Sequence, residues 1–564
     1  MANKTESIHS VHTFMLPLRW DYLPKGYNAK NGKAVFSFDE RTKLDDFNRT
    51  LLENNLKWRR IFYKIKGNPD NYNENTYFHA FATKGIFDLQ QSSECNNTKV
   101  CPKKVMLYYE YKLSDNKNIF QISSSQKDFY LKINKISLSV YNTGIAILAY
   151  QLLNEKYENS EDVLAINEFG RRIYPGFLQG TENATSKVKE KFHAKEIKLT
   201  IGSDFIVSED FSGYDDVSKL EMHGFDDKCN FEFNNIVSFP KFISNLFSEK
   251  FVFDARSEKE GKIRFNLLAD DRMFFQCWYG NNKVASSLSI KKERKFCSPS
   301  FLSKQYINNP FWYAFIFGDR SSSSLGVGNQ IFMEQEIEKA TYARWAEYGT
   351  LYGFSRDSFV AVSVNKDTLK KENVPDIGLH MQTMYYRMAV LSLAQRASVL
   401  RFSAEITDLA DLGKHKRDNK ILDRIKDLYL NYIEFINKLY FREITSHIQG
   451  IEIYNHFQKA MGIDSDVKNL ENEMKDLYNY AEMIKQYEIA HKSTQLNKFA
   501  FPLIIASLIA GILGINFIGD SAVLFRGSIP KDIKYALALI LAPIAIFVIH
   551  EAIRFICKRI RKNK

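Results

Sequence analysis

The sequence predicts an α+β cytoplasmic domain, followed by a long helical stalk and two C-terminal transmembrane helices. Three observations predict it. Alternating apolar segments with a hairpin turn fill residues 1–375. Residues 376–498 carry helical periodicity with a heptad-like seam. Two apolar runs then follow, Phe499–Ile518 and Tyr535–Ile556, separated by a link at 519–534 and ended by a basic tail at 557–564. Each run is about 20 residues, the length that crosses a bilayer core of roughly 30 Å.

In the body, YLKINKISLSVYNTGIAILAYQLL (130–153) alternates on both sides of Asn142-Thr143-Gly144 and reads as a β-hairpin. VMLYYEYKL (105–113) and SFVAVSV (358–364) read as further strands, while 40–60 and 330–348 read as helices. Ser321–Ser324 reads as a loop before Gly326 and Gly328. The chain has 564 residues, too many for one ordinary core. Hydrophobic residues make up 45% and charged residues 26%, which excludes a disordered chain or a polytopic carrier. The six cysteines are scattered and expected to be reduced, and Cys95 with Cys101 has no second pair to complete a zinc site.

The net charge is +12. Lys558, Arg559, Arg561, Lys562 and Lys564 follow an apolar run, so they suit a lipid bilayer with anionic headgroups rather than direct contact with nucleic acid. The N-terminal stretch MANKTESIHSVHTF lacks the apolar centre of a signal peptide. With an even number of spans, the expectation is a multi-pass protein of the inner (plasma) membrane with both termini cytoplasmic.

Within the stalk, Val467, Leu470, Met474, Leu477, Ala481 and Ile484 recur at steps of three and four. That spacing brings identical helices together around an axis, or packs one helix on its own domain. The same count continues through Glu488, His491, Gln495 and Lys498 to Pro502, Ile505, Ile509, Ile512 and Asn516. It predicts a pore helix lined by Ile505, Ile509 and Ile512, with Asn516 at its mouth.

A long cytoplasmic helix, two C-terminal spans and Gly514-Ile515-Asn516-Phe517 at the outer end of the first resemble the CorA family of divalent-cation channels. That family carries Gly-Met-Asn here, so Gly514 and Asn516 match and Ile515 departs. The resemblance implies a homopentamer, an Asn516 ring that recognises a hydrated divalent cation, and apolar rings that gate the pore. In the body, LPLRWDYL (16–23), YNTGIAIL (141–148), FGRRIYPGFL (169–178), DDRMF (270–274) and ARWAEYGTLYGFSRDSFV (343–360) are similar to the CorA-like membrane effectors of type III CRISPR systems. This second resemblance implies a messenger-gated channel of antiviral defence. Its activating ligand would be a small nucleotide messenger, the conjugate of S-adenosyl methionine with AMP.

Arg171 and Arg172 follow Gly170 and precede Pro175, where a paired guanidinium grips phosphate or a nearby carboxylate. Asp271, within Asp270-Asp271-Arg272, is a candidate for ribose, base or the cationic sulfonium, or for a structural ion pair. Trp20 and Trp345 are candidates to stack on a base or to sit in the core. No catalytic constellation or metal-ligand motif stands out, so an enzyme is not expected. Competing expectations are a housekeeping CorA-type transporter of magnesium, cobalt or zinc, and a membrane-tethered binding scaffold.

Overall fold

The computed structural model describes residues 8–25, 36–53, 57–65, 68–89, 104–115, 117–173, 193–211, 239–253, 260–268, 272–293, 301–319, 327–365, 377–415 and 419–518. Contacts divide the chain into two units, Met1–Leu477 and Tyr478–Lys564.

The first unit is built on a mixed sheet of fourteen described strands. They are β1 (Ser10–Tyr22), β2 (Trp58–Arg60), β3 (Met106–Tyr111), β4 (Asn118–Ser123), β5 (Asp128–Tyr141), β6 (Ile145–Asn154), β7 (Glu196–Ile201), β8 (Phe205–Asp210), β9 (Phe251–Val252), β10 (Ile263–Leu267), β11 (Phe274–Gly280), and, after the separate pair β12 (Ile290–Glu293) and β13 (Phe301–Lys304), β14 (Thr341–Tyr342), β15 (Leu351–Phe354) and β16 (Ser358–Ser363). The main path runs β14-β15-β16-β11-β1-β6-β5-β4-β7-β8. The expected hairpin forms as β5 and β6, with Gly144 at φ 73° closing its turn.

β1 is the spine. One edge pairs with β6 along most of its length; the other pairs first with β11 and then with β10. Pro17 falls where this second edge changes partner, between Met15 opposite Phe274 and Leu18 opposite Leu267. The N–H of Trp20 donates to Gly144 on the β6 side, so by two-residue alternation position 17 faces the gap. A proline is tolerated there because no ladder bond needs its missing N–H.

The helices are α1 (Phe38–Arg41), α2 (Leu44–Glu53), α3 (Pro69–Thr76), α4 (Thr83–Ile86), α5 (Ser160–Gly170), α6 (Lys241–Ser244), α7 (Asn282–Leu288), α8 (Pro310–Phe317), α9 (Gln330–Ala340), α10 (Ile377–Gln382), α11 (Met384–His415), α12 (Asn419–Lys438), α13 (Ile448–Met461) and α14 (Ile463–Ile518). Helices cover both faces of the central strands, which is why all of β6 is buried. Phe14, Leu16, Leu18 and Trp20 point into one large apolar core with Phe47, Tyr109 and Phe265. Arg19 and Asp21, on the opposite face of β1, meet α11. The helix expected at 40–60 stops at Glu53, and Trp58–Arg60 pairs as a strand because Trp58 enters the core beside Tyr111 and Phe247. The helix expected at 330–348 likewise gives way to β14 after Ala340.

Two expectations are corrected. No helix among the described residues is long and apolar enough to cross a membrane, which overturns the two-span CorA-like fold class and the multi-pass inner-membrane location. Ahead of Phe499, α14 is too polar for a span, since Lys485, Glu488, Lys492 and Lys498 interrupt it turn after turn. The second run (535–556), the link and the basic tail lie outside the described residues, as do Ser321–Ser324 and the side chains of Ile509, Ile512 and Asn516, while Gly514 is described only as backbone of α14. Ile505 is described and half-buried.

For the first part of the stalk seam, the described residues show the second of its two expected uses, packing on its own domain. Val467, Leu470, Met474 and Leu477 are buried within the first unit by the chain itself. Ser403 on α11 donates to Glu473, and Tyr440 donates to Asp464, along the same stretch. Further on, α14 leaves large apolar side chains exposed from Tyr480 through Met483, Tyr487, Ile489 and Leu496 to Phe501, Leu503 and Ile504.

Candidate functional site

Two arginine clusters stand out, and each is seated on a glycine with left-handed backbone.

The first gathers where α5 ends. Glu168 occupies the last turn of α5, three and four residues before Arg171 and Arg172, so one carboxylate faces both guanidiniums. Arg171 Nη2 donates to Glu168 Oε2 at 2.7 Å and to the Gly318 carbonyl at 2.9 Å. Arg172 Nη2 and Nε donate to Glu168 Oε1 at 2.8 and 3.2 Å. Gly318 caps α8 at φ 67°, and a Cβ there would fall 2.6 Å from Arg171 Nη1. The guanidinium of Arg171 also lies over the Phe275 ring, 5.3 Å from its centre.

A β-bridge aligns Arg172 with Arg272, and the Met273 N–H donates to the Arg171 carbonyl at 2.7 Å. Asp319, just beyond Gly318, completes the group of three guanidiniums and two carboxylates. Burial, reinforced by Arg172 and Arg272, lowers Arg171 from its ordinary value against the pull of Glu168. Burial and Glu168 raise the Asp319 carboxyl, while Arg171, Arg172 and Arg272 oppose the shift.

The sequence-predicted pair thus differs in exposure. Arg171 is 2% exposed and bonded to Glu168 and Gly318. Arg172, which also bonds Glu168, and Arg272 are only partly buried. Arg272 is the residue that sequence reasoning underweighted; its signal was the DDRMF segment, whose Asp271 lies outside the described residues. Trp20 is fully buried against Phe47 and cannot stack on a ligand. Trp345 is partly exposed, with the Arg344 guanidinium 5.8 Å from its ring centre.

The second cluster lies on the opposite face of β1. Arg401 Nη2 donates to Asp21 Oδ1 at 2.7 Å, while its Nη1 donates to the carbonyls of Trp20 and Gly144 at 2.8 and 2.9 Å. A Cβ on Gly144 would stand 2.5 Å from Arg401 Cζ. Arg41 on α1 donates to Asp21 Oδ1 at 2.8 Å and to Glu405 Oε2 at 2.6 Å. Arg19 reaches Asp21 at 3.1 Å and Glu405 at 2.8 Å. Burial alone would raise the Asp21 carboxyl, but Arg401, Arg19, Arg41 and Arg264 hold it well below the usual carboxylate range. Burial works the same way on Glu405, and Arg41, Arg19 and Arg401 overcome it, holding the group at about 2.

A third polar group resembles a thiol–imidazole–amide set and is core instead. His12 Nδ1 lies 2.7 Å from Asn167 Oδ1 and 3.5 Å from Cys277 Sγ, and its Nε2 lies 2.8 Å from Ser10 Oγ. Cys277 and Asn167 share one ring nitrogen, and all four side chains are buried. Burial lowers His12 to about 4 and pushes the Cys277 thiol up, the reverse of an activated thiolate pair. Comparison with protein-family models finds no matching family, and comparison with curated proteins finds no relative.

Proposed function

We propose that this chain is a messenger-responsive effector. Its α+β body takes up a small phosphate-bearing nucleotide conjugate at Arg172 and Arg272, and α14 carries self-assembly. The observation that supports this reading is the first cluster's charge among the described residues: three guanidiniums, those of Arg172 and Arg272 partly exposed, beside the carboxylates of Glu168 and Asp319. Paired guanidiniums suit a phosphate because each presents several donors to an acceptor-only anion. The half-buried Asp319 beside them suits the ligand's hydroxyl groups or its cationic end. The conjugate of S-adenosyl methionine with AMP has one phosphate and one sulfonium, so both signs of charge at the cluster have a counterpart. The link to type III CRISPR defence rests on the five body segments that resemble those effectors.

Ligand binding changes assembly only to the extent that the ligand prefers one arrangement of subunits over another. The exposed Met483, Tyr487 and Leu496 offer an apolar surface for self-association, as a homopentamer if the resemblance holds. A bilayer-spanning pore is no part of this reading. Calorimetry with the synthetic conjugate tests it: the parent chain binds, and Arg172→Ala with Arg272→Ala does not. No heat of binding with the parent chain would end the proposal.

A further inference from the structure

The main path of the sheet ends at β8, and one edge of β8 is unused among the described residues. The Phe211 N–H donates to the Lys195 carbonyl at 3.0 Å, which puts Glu209, Val207 and Phe205 in the hydrogen-bonded pairs of the β7–β8 ladder. By two-residue alternation, the N–H and C=O groups of Ile206 and Ser208 point away from β7. No described strand meets them there. A row of backbone groups so placed is a template for another strand.

A cleft of about 530 Å³ adjoins this edge, lined by residues 204–207 together with Asn245, Phe247, Glu249, Phe251 and Phe253. Phe247 stacks on Trp58 and Phe251 on Phe265, so this part of the wall is the margin of the aromatic core and is held in place by it. The charged side chains in the lining are Asp204 and Glu249, both exposed acids. Three bases lie nearby without lining the cleft: Lys57 over the Phe205 ring at 4.6 Å, Lys262, which donates to the Glu249 carbonyl, and Lys198, opposite Ser208 on β7. On the outer face of β8, Ile206 is 56% exposed.

We propose that β8 and this cleft accept an extended segment of a partner polypeptide, added antiparallel to β8. The occupant has to be a peptide chain, because Ile206 and Ser208 present backbone donors and acceptors at strand spacing. Its residues opposite Phe205 and Val207 point to the core side and lower an apolar side chain into the cleft. Its residue opposite Ile206 is apolar, and its residue beside Asp204 and Glu249 is basic. A second copy of β8 is the poorer occupant. Aligned antiparallel over its full length, it sets Asp204 opposite Asp210, like charge against like. The surface is separate from the Arg172–Arg272 cluster and does not depend on a messenger binding there.

The experiment uses the full chain and a fluorescent peptide with blocked ends, Lys-Val-Thr-Val-Ile-Phe-Lys, read by polarisation and by hydrogen exchange across β8. We expect the peptide to bind and to slow exchange at the Ile206 and Ser208 amides. Ile206→Pro removes an N–H that the β7 ladder does not use, a change edge strands tolerate, and weakens binding roughly tenfold. The peptide N-methylated at its Thr and central Ile, whose N–H groups would face β8, loses binding to the parent chain without any change in the protein. The peptide with Glu in place of both Lys residues binds several-fold more weakly. Arg172→Ala leaves peptide binding unchanged, so this proposal and the messenger reading fail separately. The proposal is overturned if the parent chain does not bind the peptide, if a folded Ile206→Pro or the N-methylated peptide binds as the parent pair does, or if the Glu peptide binds as tightly. It is overturned in favour of a second copy if the parent amides are already slow and Ile206→Pro abolishes self-association in sedimentation velocity. Should Ile206→Pro fail to fold, the N-methylated peptide decides.

Discussion

Asp21 on β1 and Arg401 on α11 are 380 residues apart in sequence and meet at 2.7 Å, both fully buried. The contact fastens the long helix to the central strand at the point where the β5–β6 turn also arrives, because the same guanidinium holds the Gly144 carbonyl.

Removing Asp21 leaves that guanidinium and those of Arg41 and Arg19 short of an acceptor. Asp21→Ala is expected to lower stability by about 3–5 kcal/mol, the usual result of breaking a buried ion pair from one side. Chemical denaturation of parent and variant at neutral pH measures it.

Acid should dismantle the same cluster. Asp21 and Glu405 have folded-state values below those of the unfolded chain, Glu405 at about 2. Their contribution is complete above the unfolded carboxylate value of about 4 and is lost as pH falls through the folded values. The urea midpoint should therefore hold down to about pH 5 and fall steeply between about pH 4 and 2. Glu405→Gln should flatten that fall, as urea melts across the range would show.

Arg171 and Arg172, adjacent in sequence, should separate in effect. Arg171→Ala strips the buried Glu168 of one partner and is expected to cost about 3 kcal/mol of stability. Arg172→Ala, which takes two bonds from the same carboxylate but from a partly exposed position, should cost less stability than Arg171→Ala and weaken messenger binding roughly ten- to a hundredfold. Denaturation and calorimetry on both variants give the pattern. Equal stability losses, with binding retained in Arg172→Ala, would make both arginines structural.

α14 should behave as two segments. Met474 is 1% exposed, so Met474→Ala is expected to destabilise the first unit by about 2–5 kcal/mol. Met483→Glu with Tyr487→Glu changes exposed positions and should leave stability unchanged while reducing self-association. Sedimentation velocity alongside denaturation tests this; assembly untouched by the double substitution would place the contact surface elsewhere.

Local signals in the sequence located the β5–β6 hairpin, β3 and β16, because alternation and a Gly144 turn are properties of a few neighbouring residues. Arg171 and Arg172 were visible as a pair that grips phosphate or a nearby carboxylate, but Glu168 was not singled out. Burial was not visible. It depends on Gly318 and Phe275, which approach from other elements. Arg272 joins from a hundred residues away in the chain, through a bridge to Arg172. The seam at Val467–Leu477 shows the same limit: its period is that of a helix packed on something, and period alone does not say whether the partner is another copy or the same chain. The Asp21–Arg401 cluster was hidden for the simplest reason, since its members come from β1, α1, β10, α11 and α12.

The split edge of β1 sets a timetable for synthesis. Residues 10–22 leave the ribosome before their strand partners at 145–154, 263–267 and 274–280, and long before Arg401, the last of the guanidiniums that hold Asp21. Until residue 280 is made the segment keeps at least part of one edge open, and until residue 401 the helix that covers Asp21 is missing. Chains released early, or truncated before residue 401, should expose β1 to chaperones and to aggregation. The first strand of this protein is among the last to be finished.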